Sequence, residues 1–135
     1  MFIGIDLGTS SVKIILVDHD QNILATSNSS LTVQNPMDGY SEQNPKEWIN
    51  ATVECLESLK SKKPKEFTET ISIGIAGDMH GATLIDKSGD VRRPCILWND
   101  TRSHKECEEF ENKSVDVSSI SGNITLPRFT APKIN

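Results

Sequence analysis

A carboxylate, a glycine and two hydroxyl groups lie close together near the amino terminus. Asp6 interrupts a short apolar run, and Gly8, Thr9 and Ser10 form the turn after it. Burying an unpaired carboxylate is costly, so such a residue usually has a partner or a task. Amides and hydroxyls of the turn can donate to phosphate oxygens, whereas ionised Asp6 needs hydrated Mg²⁺ between itself and a phosphate. The pattern predicts a phosphate turn with Lys13 as an added positive charge; an ordinary hairpin turn is the alternative.

A second polar group follows an apolar run with isoleucines at alternate positions. Gly77 and Gly81 bracket the residues Asp78, Met79 and His80. Ligands of open α/β sheets bind at the carboxyl ends of strands. Asp78 can accept hydrogen bonds from hydroxyls, His80 can donate or accept them, and Met79 supplies an apolar wall. We expect a small polar ligand here; a hairpin with a hydrogen-bonded histidine is the alternative.

Trp98, Asn99 and Asp100 form a third group. An indole can pack against the apolar face of a sugar while Asn and Asp side chains bind its hydroxyls. The alternative is a core tryptophan followed by a helix that is capped by Asp100. The residue pattern leaves both interpretations open.

Hydrophobic periodicity predicts the strands that position these groups. Apolar runs at 2–7, 12–17 and 23–33 predict three strands with short connections, which favours an antiparallel meander. The uncharged run at 70–76 predicts a further strand that is covered on both faces. A helix is predicted between the first three strands and the strand at 70–76, and this order of strand, helix and strand predicts a βαβ crossover. The predicted fold class is therefore α/β with a mixed sheet.

The predicted helices lie between and after these strands. Asn44 and Pro45 are typical of a helix start, and the apolar residues behind them recur at helical spacing. We also expect loops at 35–44 and 61–65, a hairpin over 83–98, and a polar helix over 100–112. The residues expected on the buried side of the first helix are Trp48, Ile49, Val53, Cys55, Leu56 and Leu59.

Composition excludes several classes of function. The 135 residues suffice for one domain of ordinary size. A net charge of -5 and a pI of about 5.1 disfavour nucleic acid as a partner. No apolar run approaches the ~20 residues of a membrane span, and the opening run lacks the basic start of a signal peptide. The three cysteines are odd in number and predict reduced thiols in a cytoplasmic protein.

Four segments resemble the carbohydrate kinases of the FGGY family. Residues 2–10 (FIGIDLGTS) are similar to the opening of these kinases, a motif shared more loosely with actin-like ATPases. Residues 74–83 (GIAGDMHGAT), 96–102 (ILWNDTR) and 122–133, with GNI and FTAPK at its ends, resemble the xylulokinase subgroup. The likeness covers essentially the whole chain in the correct order. Asp78 stands where that subgroup usually has Gln, and Arg128 where it usually has Gly.

The resemblance implies an RNase H-like, actin-like ATPase fold. It also implies transfer of the γ-phosphate of ATP to the 5-hydroxyl of D-xylulose. Asp6 would position Mg²⁺ and phosphate, residues 8–10 would form the phosphate turn, and Met79 and His80 would contact the sugar. Residues 98–100 would line the same cleft. ATP and Mg²⁺ are the expected cofactors, and D-xylulose is the expected small-molecule partner.

FGGY kinases are several-fold longer than this chain. The resemblance implies that residues 1–135 are the incomplete amino-terminal part of the sugar-binding domain, without the nucleotide-binding domain or the general-base Asp. We therefore expect no kinase activity from the chain alone, and a homo-oligomer formed through exposed apolar surface. One alternative is an FGGY kinase for gluconate, glycerol or rhamnulose. Another is a sugar-binding module without catalysis.

Overall fold

Two units make up the part of the chain that the computed structural model describes, residues 1–112 and 117–134. Unit 1 comprises Met1–Thr32 and Lys46–Asp78, and unit 2 comprises Val33–Pro45 and Met79–Asn135. The elements in chain order are β1 (Phe2–Leu7), β2 (Ser11–Val17), β3 (Ile23–Ser30), β4 (Glu42–Gln43), α1 (Pro45–Lys62), α2 (Pro64–Thr68), β5 (Ser72–Gly77), β6 (Cys95–Ile96), α3 (His104–Glu111), α4 (Val117–Ser121) and α5 (Thr130–Lys133).

Unit 1 contains a four-stranded sheet with the order β3-β2-β1-β5. β1 pairs antiparallel with β2, and β2 pairs antiparallel with β3, whereas β5 lies parallel to β1. The predicted α/β class with a mixed sheet is confirmed. The register places Asp6 opposite Lys13 on β2 and beside Ala76 on β5. Because β1 and β5 run in the same direction, the turns that follow them lie at the same end of the sheet.

One face of the sheet forms the core of unit 1. Ile3 of β1 and Val12, Ile14 and Leu16 of β2 are buried, and they pack against α1. Alternate residues of a strand share a face, so these side chains point to the same side. The core therefore lies between α1 and the strands β1 and β2, which leaves Asp6 and Lys13 on the opposite face.

The buried side of α1 differs from the prediction at two positions. Ala51, Cys55 and Leu59 are buried at four-residue spacing, whereas Ile49 and Val53 are 65% and 52% exposed. Each residue advances a helix by about 100°, so a position two residues before a buried one points away from the core. The prediction for Ile49 and Val53 was wrong because it favoured large side chains over the small Ala51.

β5 is exposed along its whole length, so the prediction of a strand covered on both faces was wrong. Ile71, just before β5, is 69% exposed, and Ile73 and Ile75 are 54% and 76% exposed. β5 is an edge strand, and the buried cluster with α1 forms over β1 and β2. An uncharged alternating run is typical of a covered strand, but it does not reveal what covers it.

Several predicted boundaries differ from those in the structure. β3 ends at Ser30 rather than at 33, and the predicted loop at 35–44 contains β4. The predicted loop at 61–65 instead ends α1 and begins α2, because Pro64 cannot continue the first helix but is well suited to start a second. None of the helices in the described part of the chain combines the length and the apolar character that a bilayer crossing needs.

Short strand pairs organise unit 2. β4 pairs antiparallel with β6, and single bridges join Ala82 to Ile96 and Ile85 to Val91. The predicted hairpin over 83–98 is reduced to these two bridges, because β6 takes β4 as its strand partner. α3 begins at His104 rather than near 100, and its cap position is Ser103.

Candidate functional site

The turn after β1 closes on itself. The Gly8 amide donates to the Ser11 carbonyl at 3.0 Å, and the Leu31 amide donates to the Ser10 carbonyl at 2.9 Å. This bond within the turn occupies the Gly8 amide, although the sequence predicts that all three residues donate to phosphate. Ser10 itself is exposed.

Asp6 is exposed, which corrects the premise that its carboxylate is buried in an apolar strand. An exposed carboxylate keeps its water, so the cost of burial gives no reason to infer a task for it. Its place on the sheet is informative in another way: the exposed Lys13 lies opposite it on β2. The two side chains set a negative and a positive charge side by side on the face away from the core.

A single exposed carboxylate fits hydrated Mg²⁺ better than a metal cage. Mg²⁺ keeps several waters and is usually bound through one or two carboxylates together with substrate phosphates. Among residues 1–112 and 117–134, no group of three or more His, Cys, Asp or Glu side chains could enclose a metal ion. Asp6 would be suited to hold such a hydrated ion together with the phosphates of a substrate.

The turn after β5 is tied to the turn after β1. The Asp78 amide donates to the Leu7 carbonyl at 3.0 Å, and the Thr9 hydroxyl donates to the Asp78 carboxylate. The sequence-based interpretation assigned Thr9 to phosphate and Asp78 to sugar, without a link between them. The parallel pairing of β1 with β5 brings them together. The general rule that carboxyl ends of neighbouring parallel strands meet at one edge was a signal that could have indicated this contact.

An open cleft of about 450 Å³ runs along the Asp6 face of the sheet. It is lined by Asp6, Lys13, Gly4 and Gly74, together with apolar residues of β1, β2 and β5. Gly4 and Gly74 are neighbours in the β1–β5 register. A Cβ atom added at Gly74 would meet no atom within 4 Å, so the backbone there is open to a ligand. The cleft can take a phosphate-bearing ligand beside the two charged side chains.

In unit 2, His80 adopts a backbone conformation that is unusual for a residue with a side chain. Its φ is 63°, in the left-handed region. Such residues persist only where their surroundings hold them, and they cluster at functional sites. The His80 ring meets the Phe129 ring edge to face, with centroids 5.0 Å apart. A Cβ atom at Gly81 would lie 3.1 Å from the Cys95 sulfur, so the glycine permits this close approach. Met79 is 71% exposed.

A cavity of about 330 Å³ adjoins His80. The surface of the cavity is mainly apolar and includes Phe129 and Pro132, and its polar members, besides His80, are Ser121, Asn123, Thr125 and Thr130. This arrangement of apolar walls with a few polar groups is typical of small-molecule sites.

Trp98 and Asn99 are exposed, whereas Asp100 is buried. The Asp100 carboxylate accepts the Ser41 amide at 2.6 Å and the Nη2 and Nε atoms of Arg102 at 2.7 and 2.9 Å. Ser103, not Asp100, occupies the cap position of α3. With both oxygens engaged inside the protein, Asp100 is suited to hold the loop of Trp98 and Asn99 rather than to bind a ligand itself.

The Asp100 carboxylate belongs to a network of charges. Arg102 also contacts Glu42 at 2.7 Å, and Arg93 contacts the same Glu42 oxygen at 2.9 Å. The Arg102 guanidinium lies 3.7 Å from the centre of the Tyr40 ring. Burial alone would raise the pKa of Asp100, but hydrogen bonds from Arg102 and Ser41 outweigh it and lower that pKa below its ordinary value. Asp100 therefore remains ionised inside the protein.

The sequence-predicted residues fall into two sets. Unit 1 brings together Asp6, Lys13, the turn of Gly8, Thr9 and Ser10, and Asp78, whereas unit 2 holds Met79, His80, Trp98, Asn99 and Asp100. Sequence reasoning missed the contributions of Glu42 and Arg102. Arg102 stands two residues after Asp100, a spacing that suggests a local ion pair, but the participation of Glu42 depends on the β4–β6 pairing.

Comparisons with known proteins identify the family of this chain. The family model described as "FGGY family of carbohydrate kinases, N-terminal domain" matches residues 1–135. A protein named xylulose kinase from Klebsiella pneumoniae is 46% identical over 134 residues, which cover 99% of this chain and 27% of that protein. The xylulose kinase of Escherichia coli K12 is 43% identical, with the same coverage.

A solved structure named as a xyloylose kinase from Brucella ovis superposes with a TM-score of 0.93. It is 48% identical, and the match covers 98% of this chain and 28% of that one. The chain thus spans about a quarter of the length of the relatives it matches. The similarity of structure extends over both units described above.

Proposed function

The chain belongs to the FGGY family of carbohydrate kinases, and from this premise we propose that it is the amino-terminal part of an ATP-dependent kinase for D-xylulose. We call the longer protein that contains it the parent kinase. The observation that carries this proposal is the 46% identity with a xylulose kinase across 99% of the chain. The proposed reaction is transfer of the γ-phosphate of ATP to the 5-hydroxyl of the sugar, with the general-base Asp located outside residues 1–135.

Unit 1 serves the phosphate side in this proposal. Asp6 would hold Mg²⁺ through water, and Lys13 adds a positive charge beside the open cleft. A bound ion neutralises part of the negative charge on the transferred phosphoryl group. The Thr9 hydroxyl and the Asp78 carboxylate bind each other, so their contact keeps the two turns in fixed positions beside the phosphates. The turn of residues 8–10 approaches the ATP phosphates.

Unit 2 serves the sugar side. Met79 provides an apolar wall, and the His80 imidazole forms a hydrogen bond with a sugar hydroxyl. Trp98 and Asn99 contact the sugar through the indole face and the amide. Asp100 does not contact the sugar in this proposal. Its carboxylate accepts hydrogen bonds from Ser41 and Arg102, and these bonds hold the loop that carries Trp98 and Asn99.

A panel of sugars tests the substrate. The parent kinase with Mg²⁺ and ATP is expected to show its highest kcat/KM on D-xylulose, compared with other pentuloses, glycerol, gluconate and rhamnulose. Residues 1–135 alone are the matched control and are expected to be inactive, because in-line transfer needs a positioned nucleotide and an oriented hydroxyl. Higher kcat/KM on another sugar would refute the xylulose assignment. Sugar binding without turnover of any sugar would favour a non-catalytic module.

The proposed location is the cytoplasm. Cys55, Cys95 and Cys107 are buried thiols, and none of them forms a disulfide within the part of the chain that the structure describes. Free thiols are typical of reducing compartments.

A homo-oligomer of the 135-residue chain is also proposed, formed by two copies of β5. The run at 70–77 contains no charge and no proline, and among the strands that the structure describes β5 pairs with β1 alone. Ile71, Ile73 and Ile75 are evenly spaced, so antiparallel pairing centred on Ile73 would place Ile71 opposite the Ile75 of the second copy. An exposed apolar edge strand without a charged residue is a ready template for such pairing.

Substituting Ile73 tests the oligomer. The chain is expected to be a dimer or larger by light scattering, and Ile73→Lys is expected to be a monomer, because lysine blocks edge pairing. Ile49→Lys is the matched control, since Ile49 is 65% exposed but lies on α1. It should leave the oligomer intact. A monomeric wild-type chain at all concentrations, or equal dissociation by both substitutions, would contradict pairing through β5.

A further inference from the structure

Lys133 is a cation with little access to water. The residue is only 9% exposed, and its ammonium donates to three backbone carbonyls of unit 2. The distances are 2.9 Å to His80, 2.7 Å to Leu97 and 2.8 Å to Arg128. An ammonium group has three donors, and each one has a carbonyl partner here.

Neutral carbonyls compensate a buried charge less completely than a carboxylate would. Burial accordingly lowers the pKa of Lys133, while the charge of Asp100 and the Cys95 side chain raise it and Arg102 lowers it further. A buried methionine of similar shape would avoid this cost. The charge of Lys133 is therefore unfavourable for stability at this position. The three carbonyls that it contacts indicate which role the ammonium group serves.

Two of the three carbonyls belong to segments that carry a candidate sugar contact, and the third precedes a ring that packs against one of these contacts. His80 is one such contact, and its left-handed backbone needs support from its surroundings. Leu97 immediately precedes Trp98. Arg128 immediately precedes Phe129, whose ring packs against the His80 ring. One ammonium group thus joins three chain segments that are far apart in sequence.

We propose that Lys133 is a positioning residue of the sugar site, whose ammonium fixes the backbones of His80, Leu97 and Arg128 and thereby orients the side chains that contact the sugar. The expected effect on sugar binding rests on the proposed function, whereas the three contacts of the ammonium group do not. Lys133 itself does not contact phosphate or sugar, because its three donors are already occupied. The usual interpretation of a kinase lysine as a phosphate ligand does not apply to it.

Lys133→Met in the parent kinase tests the consequence for the sugar. We expect the KM for D-xylulose to rise about tenfold, while the KM for ATP stays within roughly twofold, because only the sugar side loses its orientation. Lys133→Arg should recover only part of the loss, since a planar guanidinium cannot direct donors to three divergent carbonyls. Lys60→Met is the matched control, because the Lys60 side chain is 55% exposed on α1. It should leave both KM values unchanged.

A measurement without activity separates this inference from the proposed function. Backbone hydrogen exchange of the 135-residue chain with Lys133→Met should become faster in peptides that cover 79–81, 97–99 and 128–130. Peptides of β1 and β2 should keep their wild-type rates. Faster exchange in both units to the same extent, or equal changes in the two KM values, would overturn the positioning role. If the parent kinase phosphorylates no sugar, the proposed function fails, whereas local exchange changes would still support the backbone clamp.

Discussion

Asp6→Asn in the parent kinase is expected to lower kcat by about 10²–10³-fold, the range found when one electrostatic contact to a transition state is removed. The substitution removes the charge that we propose lies next to the transferred phosphate, and it changes the shape of the side chain very little. Because that charge acts most strongly in the transition state, the KM for the sugar should change by no more than about twofold. Steady-state kinetics with varied sugar and saturating Mg²⁺ and ATP give both values.

The exposure of Asp6 makes this substitution easy to interpret. An exposed carboxylate can be replaced without opening a cavity, so the thermal midpoint of unfolding should remain at its wild-type value. Asp20→Asn is the matched control, because Asp20 is an exposed carboxylate in the turn between β2 and β3. A loss of kcat with Asp20→Asn as large as that with Asp6→Asn would contradict a specific role for Asp6.

The opposite kinetic pattern is expected at His80, where the first loss should be sugar affinity. His80→Ala removes the imidazole but also places an alanine at a φ of 63°. His80→Gly removes the same group without the backbone cost, because glycine accepts positive φ. A rise in the KM for the sugar in both variants would identify the imidazole as the cause. Small and equal effects of the Asp6 and His80 substitutions would contradict the division into a phosphate side and a sugar side.

Local pattern was sufficient for much of unit 1. Alternation in 2–7 and 12–17 predicted β1 and β2, since one face of each strand is buried and the pattern records that face. The start of α1 at Pro45 also followed from local chemistry. The cover of β5 could not be predicted in the same way. Alternating isoleucines show that a strand is suited to burial, but the partner that would bury them is a property of the tertiary structure.

The candidate site shows the same limit. The residue types at Asp6, Thr9 and Asp78 indicated polar chemistry, but the contact between Thr9 and Asp78 arises from the pairing of strands that are some 70 positions apart. The two interpretations of Asp100 could not be separated from local sequence, because its partner Ser41 comes from a distant loop. The sequence marked Lys133 only as part of a motif that resembles the family. Its contacts could not be predicted, because every residue has a backbone carbonyl and the residue types do not show which ones an ammonium group meets.

The network around Asp100 leads to the largest expected effect on stability. Arg102→Met removes the cation that binds the buried Asp100 carboxylate, while Glu42 keeps Arg93 as a partner. Removing one partner of a buried pair typically costs about 3–5 kcal/mol, because an uncompensated charge is left inside. The free energy of unfolding from urea titration at pH 7 should fall by about that amount. The Ile73→Lys background keeps subunit dissociation out of the measurement.

Arg92→Met is the matched control for Arg102→Met. The Arg92 side chain is 68% exposed and its ion pair with Asp86 spans 3.6 Å. Exposed pairs contribute about 0–1 kcal/mol, so this variant should stay close to the wild type. Equal destabilisation by the two substitutions would show that the buried network around Asp100 contributes no more to the free energy of unfolding than an exposed ion pair does.

The pH dependence distinguishes a lost charge pair from lost packing. In the wild type the pKa of Asp100 lies below its ordinary value of 3.8, so its contribution to stability is present above pH 3.8 and is lost as the pH falls through the lowered pKa. In Arg102→Met the hydrogen bonds from the guanidinium are gone and burial still raises the pKa, so protonation should relieve the buried charge. The difference in unfolding free energy between the two proteins should therefore shrink between pH 7 and pH values near 3.8. A difference that stays constant over this range would attribute the whole effect to packing of the Arg102 side chain against Tyr40.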